Sequence, residues 1–418
     1  MMETIFAEAT PPGRGGVSIV RLSGPQAPAM AEALAGGLPP DRVAAVRRLR
    51  EGGDVIDDAL VLTFPEGSSF TGEPVVEFHL HGAPVVVRRL SAALGRLGAR
   101  LAGPGEFTRR AFLNGRLDLT RVQGLSDLLV AETEAQRVLA MRNASGELGR
   151  LAAGWREALV RASALVMASL DFPDEDVPDV VPPEVAQIVT RLVAALDDAL
   201  AGAQSAERVR AGFTVAVIGP PNAGKSSFIN RLAGRDVAIV TDRPGTTRDL
   251  LEVHLDLGGL AVTVVDTAGL RETSDEIEVL GIARAEAAAQ AAALRLHLSE
   301  SGDPVEALWQ PGDIAVRTKA DLGGPGVSAM TGAGIAELVA EIEARLSERV
   351  AGAGLVSHAV QIAQIRAARE ALAQVHGAPA EIAAEHLAEA ARSLASLVGL
   401  VDIEDYLDVV FSAFCIGK

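Results

Sequence analysis

The chain has 418 residues, of which 49% are hydrophobic, and its formal net charge is −17. This length suggests roughly two to four domains, and the acidic charge argues against a protein that coats nucleic acid by itself, because phosphate binding needs a concentrated positive surface. No run of about 18 apolar residues occurs, and no basic region precedes an apolar stretch at the N-terminus, so we expect a cytoplasmic protein without a membrane span.

Lysine is rare in this chain. The 38 basic residues include lysine only at Lys225, Lys319 and Lys418, and arginine fills all the other basic positions. Arginine and lysine differ in shape and hydration, so a chain with this bias is expected to keep lysine where a compact ammonium is needed. All three lysines are therefore candidate functional residues.

Residues 1–118 alternate short β-like runs with Gly/Pro turns. The runs are VSIVRL, ALVLTF and VVEFHLH, and the segment also contains one helical stretch, APVVVRRLSAALGRLG. This alternation predicts an α+β domain. In residues 119–207, apolar residues recur every three or four positions, which predicts the first part of a helical domain.

Residues 208–355 alternate predicted strands and helices, which is typical of a mainly parallel sheet with helices on both faces. The helical pattern returns over residues 356–418. We therefore predict a multidomain α+β and α/β protein in which an α/β domain is inserted into a split helical domain.

The stretch GPPNAGKSS, residues 219–227, follows a predicted strand and opens a predicted helix. This context is the one that the phosphate-binding pattern G-x-x-x-x-G-K-[ST] requires. The loop amides are expected to hold phosphates, Lys225 to reach the β and γ phosphates, and Ser226 to bind Mg²⁺.

Four further motifs follow in the order that guanine-nucleotide domains use. GTTRD (245–249) offers Thr247 to Mg²⁺ and the γ-phosphate, and DTAG (266–269) places Asp266 near the metal. In TKAD (318–321), Asp321 can accept both N–H groups of guanine, and SAM (328–330) follows it. The predicted nucleotide contacts are Asn222, Ala223, Gly224, Lys225, Ser226, Ser227, Thr241, Thr246, Thr247, Asp266, Thr267, Ala268, Gly269, Thr318, Lys319, Asp321, Ser328 and Ala329.

The residue that positions the attacking water is not evident from these motifs. Many GTPases have Gln directly after DTAG, but this chain has Leu270. The acids of the following segment are alternatives, and oxygen-bearing residues near the phosphate loop suggest a bound monovalent cation. The acids are Glu272, Asp275, Glu276 and Glu278, and the oxygen-bearing residues are Asn222, Thr241 and Thr246.

The whole chain resembles the tRNA modification GTPase family MnmE, also called TrmE. The resemblance rests on ATPPGRGGVSIVRLSG, FTGEPVVEFHLHG, PGEFTRRAFLNGRLDL, DFPDED, PNAGKSS, GTTRD, DTAGLRE and the terminal FCIGK. It implies an N-terminal domain that binds folate and dimerises, a split helical domain and an inserted Ras-like P-loop G domain. The corresponding ranges are 1–118, 119–207, 208–355 and 356–418, the last ending in FCIGK.

The resemblance also implies cofactors and partners. K⁺ would be held by Asn222, Thr241, Thr246 and the Arg243 carbonyl, and Glu278 would position the water. The homodimer would join an MnmG (GidA) flavoprotein in a heterotetramer. Together they would add an aminomethyl or carboxymethylaminomethyl group to the wobble uridine of certain tRNAs, using the carbon of a 5-formyl or 5,10-methylene tetrahydrofolate.

The folate contacts implied by the resemblance are Arg21, Glu77, Arg116 and Lys418. Two positions depart from the family pattern: Thr318 stands for the usual Asn, and Arg116 stands where Lys is frequent. Cys415 is either a nucleophile, if its pKa is lowered, or a packing residue of the folate pocket.

Two other functions fit parts of the sequence. A GTPase of ribosome assembly has similar switch motifs, but it should carry a basic RNA-binding module. In a folate-dependent transferase whose G domain is only a structural clamp, Lys225→Ala would leave tRNA modification intact.

Overall fold

The computed structural model describes residues 3–171, 182–235, 237–239, 252–266, 287, 289–401, 407, 410–412, 414 and 417. The chain divides into two compact units, one formed by residues 1–126 with 395–418 and the other by residues 127–394. Within the described residues, no helix is long and apolar enough to cross a membrane.

The first unit is built on a six-stranded sheet with the order β3-β4-β5-β2-β1-β6. The strands are β1 (Ile5–Glu8), β2 (Val17–Ser23), β3 (Ala45–Glu51), β4 (Asp54–Phe64), β5 (Val75–His81) and β6 (Arg100–Leu101). Neighbours are antiparallel except β1 and β6. The helices are α1 (Ala27–Ala35), α2 (Pro84–Arg96) and α3 (Glu106–Leu113).

This α+β arrangement confirms the predicted class, but the expectation of a single helix was wrong. Helices α1 and α2 cover one face of the sheet and bury a continuous apolar core that includes Phe78, Leu90 and Leu94. The chain end belongs to the same unit, because Phe411 and Phe414 pack against Leu119.

The second unit contains the helices that flank the inserted domain. They are α5 (Glu134–Ala144), α6 (Glu147–Asp171), α7 (Pro183–Ala201), α8 (Ala203–Ala211) and α11 (Ala359–Ala373). Two helices, α4 (Leu119–Val130) and α12 (Ala380–Leu397), cross the boundary between the units.

The inserted domain has a five-stranded sheet with the order β11-β10-β7-β9-β8, parallel except for the β8–β9 pair. Its strands are β7 (Phe213–Ile218), β8 (Glu252–Leu257), β9 (Leu260–Asp266), β10 (Leu294–Ser299) and β11 (Ile314–Arg317), and its helices are α9 (Lys225–Ala233) and α10 (Ile335–Glu348). The predicted α/β class is confirmed. The domain boundaries proposed from the sequence stay predictions.

Candidate functional site

The phosphate loop joins β7 to α9, as the sequence predicted. Asn222 has a φ of 62° and Gly224 a φ of 89°, so two left-handed residues turn the chain into the helix. A Cβ atom on Gly219 would lie 2.1 Å from the Leu298 carbonyl oxygen, which explains why only glycine fits there. The loop therefore ends at a helix N-terminus, where backbone N–H groups favour phosphate.

Lys225 and Ser226 lie at the start of this helix. Lys225 is 6% exposed, and its ammonium donates 2.8 Å hydrogen bonds to the carbonyl oxygens of Gly219 and Pro220. Ser226 Oγ donates a 2.7 Å hydrogen bond to Oδ2 of Asp266, which is fully buried at the end of β9. The two motifs thus place a hydroxyl and a carboxylate together, and such oxygen ligands suit Mg²⁺.

The TKAD motif follows β11 and continues into the SAM loop. Lys319 has a φ of 58°, and its ammonium contacts the Glu300 carboxylate. Asp321 Oδ1 accepts a 2.6 Å hydrogen bond from Ser328 Oγ. This bond fixes one carboxylate oxygen of the residue that is predicted to read guanine.

Thr318 is buried, with 7% exposure, and its Oγ1 has no hydrogen-bond partner among the described residues. Its backbone N–H donates to the Ser299 carbonyl oxygen at 2.8 Å, so the backbone position is well defined. A hydroxyl left buried without a partner is unfavourable. The Thr318 side chain therefore stabilises this loop less than a side chain that forms a hydrogen bond would.

Several predicted residues lie outside the described part of the chain. They are Thr241, Arg243, Thr246, Thr247, Thr267, Ala268, Gly269, Glu278, Cys415 and Lys418. The described members of the predicted nucleotide set occupy the phosphate loop, the end of β9 and the TKAD and SAM loops. Glu300, which contacts Lys319, was not singled out by the sequence because it lies in no motif.

The predicted folate residues lie in the first unit. Arg21 on β2 faces Glu77 on β5, and Arg21 Nε donates a 2.9 Å hydrogen bond to Glu77 Oε1. The Arg21 guanidinium carbon lies 5.8 Å and 5.6 Å from the ring centroids of Phe70 and Phe107. An arginine held by both a carboxylate and aromatic rings is fixed in orientation.

Arg116 and Gly417 each pack closely on a neighbouring segment of the unit. A Cβ atom on Gly72 would lie 3.3 Å from Arg116 Cγ, so the Arg116 stem packs directly on the loop that carries Phe70. Gly417 is buried with a φ of 100°, and a Cβ atom there would lie 2.2 Å from the Glu8 carbonyl oxygen. Gly417 is thus seated at the end of β1.

A buried polar network, which sequence reasoning missed, supports this loop. Ser23 Oγ donates to Glu73 Oε2 at 2.9 Å, and Arg110 bridges Glu73 and Glu106 at 3.0 and 3.1 Å. Burial raises the pKa of Glu106, but hydrogen bonds from Arg100, the Gly103 N–H and Arg110 outweigh it and lower that pKa to about 2. The network therefore joins α3 to the loop through ionised groups.

Comparison with known proteins gives matches over nearly the whole chain. Residues 4–116 match the family model described as GTP-binding protein TrmE N-terminus, and residues 119–415 match the MnmE helical domain. The chain is 56% identical over 420 residues to the tRNA modification GTPase MnmE of Paracoccus denitrificans, and all of both chains is covered. It is 50% identical over 428 residues to the protein of the same name from Cereibacter sphaeroides, again over all of both chains.

Proposed function

The chain belongs to the MnmE family of tRNA modification GTPases, and from this premise we propose that its GTP hydrolysis depends on K⁺ and acts with an MnmG-type flavoprotein. The two proteins add an aminomethyl or carboxymethylaminomethyl group to the wobble uridine of certain tRNAs. A tetrahydrofolate derivative, in the 5-formyl or 5,10-methylene form, supplies the carbon.

The observation that carries the GTPase part of the proposal is the hydrogen bond between Ser226 and Asp266. Their oxygen atoms fit Mg²⁺, with Thr247 proposed as a further ligand. Lys225 neutralises phosphate charge, and Asp321 accepts the N–H groups of guanine. Bound Mg²⁺ would supply electrostatic stabilisation of the transferred phosphoryl group.

Glu278 is proposed to position the attacking water. Asn222, Thr241, Thr246 and the Arg243 carbonyl are proposed to hold K⁺ where other GTPases use an arginine finger. Of this set, only Asn222 lies among the described residues; it belongs to the phosphate loop, has a φ of 62° and carries an amide oxygen that suits a cation.

The proposed folate site is formed by Arg21, Glu77, Arg116 and Lys418. Its chemistry suits a ligand with an amino-substituted ring and an acidic tail, because a carboxylate accepts from ring N–H groups and cations bind carboxylates. Arg21 and Glu77 are in contact, and Arg116 packs on the neighbouring loop. Cys415 belongs to the same tail as Gly417, and its role as nucleophile or packing residue is part of the proposal.

A homodimer that associates with the flavoprotein in the cytoplasm completes the proposal. The net charge of −17 supports a division of labour in which the partner supplies most of the tRNA-binding surface. A ribosome-assembly GTPase is disfavoured because surface arginines of the first unit are paired with acids, as in Arg48–Asp58 and Arg96–Glu51.

GTP turnover in K⁺ compared with Na⁺ at equal ionic strength tests the cation dependence. Faster hydrolysis in K⁺ is expected, and Asn222→Ala should remove the difference. Equal rates in both salts would reject the K⁺-assisted mechanism and with it the roles of Asn222 and Glu278.

A further inference from the structure

The β8–β9 hairpin connects the nucleotide site to a distant turn. Strand β8 begins three residues after GTTRD, and strand β9 ends at Asp266, the first residue of DTAG. The two strands pair in continuous antiparallel register from Glu252↔Val265 to Leu257↔Leu260. Strands of this length extend about 20 Å. The paired hairpin therefore links the nucleotide motifs at one end to its turn at the other.

The tip of the hairpin, residues 258–260, contacts the first turn of α5. The backbone N–H of Ala135 donates a 3.2 Å hydrogen bond to the Gly259 carbonyl oxygen. Asp256 Oδ1 accepts from the Gly259 N–H at 2.7 Å and thereby holds the turn. A Cβ atom on Gly258 would lie 2.2 Å from Glu343 Oε1 of α10, so the tip is closely enclosed on that side.

Helix α5 is attached in turn to the two segments that lead into and out of the inserted domain. Gln136 Nε2 donates to the Arg210 carbonyl oxygen at 3.1 Å, just before β7. The buried Asn143 donates from Nδ2 to the Leu355 carbonyl oxygen at 3.0 Å, just before α11. A displacement of α5 would therefore also displace the segments that precede β7 and α11.

The packing between the tip and α5 leaves space for such a displacement. A cleft of about 440 Å³ lies there, lined by α5, α8, the hairpin tip and residues 350–354. Because close-packed groups resist displacement, the space in this cleft leaves room for a small tilt of the tip relative to α5.

We propose that the hairpin tip is the coupling element that passes the nucleotide state of the G domain to the helical domain through the Ala135–Gly259 hydrogen bond. The proposal rests on the GTPase function but not on the folate or K⁺ assignments. GTP and GDP differ at the nucleotide motifs that flank the hairpin. A movement of the hairpin tip would displace the first turn of α5 through Ala135. It would displace the segment before α11 through the Asn143–Leu355 hydrogen bond. Such coupling requires that the two nucleotides favour different positions of α5.

The substitution Ala135→Pro tests this link selectively. Ala135 is the second residue of α5, where the backbone N–H is not used within the helix and proline is tolerated. The change removes the donor to Gly259 and leaves the nucleotide site untouched. Glu134→Pro is the matched control, because it places proline one residue earlier and keeps the Ala135 N–H.

Hydrogen–deuterium exchange of the full chain is then compared with GDP·Mg²⁺ and with a non-hydrolysable GTP analogue. In the wild type and in Glu134→Pro, exchange over residues 134–144 should differ between the two nucleotides. In Ala135→Pro this difference should be lost, while nucleotide affinity changes less than about twofold. Peptides covering residues 219–233 report nucleotide binding itself.

The proposal would be overturned if the difference in exchange over residues 134–144 were the same in Ala135→Pro as in the wild type. It would also be overturned if the wild type showed no difference between the two nucleotides. If residues 219–233 also fail to respond, the nucleotide-binding assignment fails instead. If Ala135→Pro does not fold, Asp256→Ala replaces it, because it removes the carboxylate that accepts the Gly259 N–H and holds the turn. Asp256→Ala should also reduce the nucleotide-dependent difference in exchange over residues 134–144, and an unchanged difference would reject the coupling.

Discussion

Ser226 and Asp266 are joined by a 2.7 Å hydrogen bond although they belong to different motifs on different elements. Ser226 lies in the first turn of α9, and Asp266 ends β9, which is the neighbour of β7 in the parallel part of the sheet. The carboxyl ends of parallel strands and the helix that follows β7 thus meet at one edge. Ser226 and Asp266, which are proposed to face the metal, are therefore already in contact in the protein alone.

Asp266→Asn is expected to lower GTP turnover about a hundredfold, because it removes the buried negative charge that faces the metal position. The amide has nearly the same shape as the carboxylate, so the fold should be retained. Steady-state hydrolysis over a Mg²⁺ titration measures the effect. Asp303→Asn, in an exposed loop, is the control, and a similar loss there would contradict the assignment.

Thr318→Val tests the unpartnered buried hydroxyl. Because Oγ1 has no partner among the described residues, replacing it by a methyl group should leave the free energy of unfolding unchanged or slightly raise it. Urea unfolding of the nucleotide-free protein measures this. A loss of more than about 1 kcal/mol would indicate a hydrogen bond that the structure does not show.

Thr318→Asn should instead tighten guanine-nucleotide binding about fivefold, since the longer amide side chain can reach a hydrogen-bond partner that the Thr318 hydroxyl does not. Calorimetric titration with GDP measures the change. Thr318→Val serves as the reference for it. An Asn variant that binds no more tightly than the Val variant would show that this position has little influence on affinity.

Asp321→Asn should shift the base preference from guanine to xanthine. A carboxylate accepts two N–H groups of guanine, whereas an amide can donate to the additional carbonyl of xanthine. The loss of GTP binding should exceed about tenfold, because a charge-assisted pair is replaced by a mismatched one. Competition of GTP and XTP measures the preference, and an unchanged preference for GTP would remove Asp321 from the base site.

Glu106→Gln tests the ionised network of the first unit. The pKa of Glu106 falls from 4.5 to about 2 in the folded protein. Its stabilising contribution is therefore fully present above about pH 4.5 and is lost as the pH falls toward about 2; the shift corresponds to about 3 kcal/mol at most.

Urea unfolding at several pH values measures the Glu106 contribution. The difference between the wild type and Glu106→Gln should be largest near pH 7 and should shrink below about pH 4.5. Glu66→Gln, at an exposed position, is the control and should show a smaller difference. A wild-type advantage that persists unchanged into acid would contradict the ionised network.

The sequence predicted the elements whose signals are local. Strand β9, helix α10 and the phosphate loop were recognised because each is a continuous apolar run, a periodic segment or a motif in context. Strand β3 was missed because three of its seven residues are arginines and it lies at a sheet edge, so it lacks a continuous apolar run.

Contacts between distant segments were the least predictable part. Ser226 and Asp266 were associated through motif order, but the Glu300–Lys319 and Ala135–Gly259 contacts involve residues without a motif. Arg110 was likewise not singled out, because its two carboxylate partners are identified only when α3 packs on the loop after β4. Such pairs depend on tertiary packing, which local sequence patterns do not encode.

The central claim is that GTP hydrolysis by this protein is required for tRNA modification, and mass analysis of wobble uridines tests it most directly. Cells that lack their own copy are supplied with the wild type, Lys225→Ala or the exposed control Arg231→Ala. The wild type and Arg231→Ala should restore the aminomethyl or carboxymethylaminomethyl group, whereas Lys225→Ala should leave wobble uridines unmodified. Full modification with Lys225→Ala would contradict the claim and would reduce the G domain to a structural clamp.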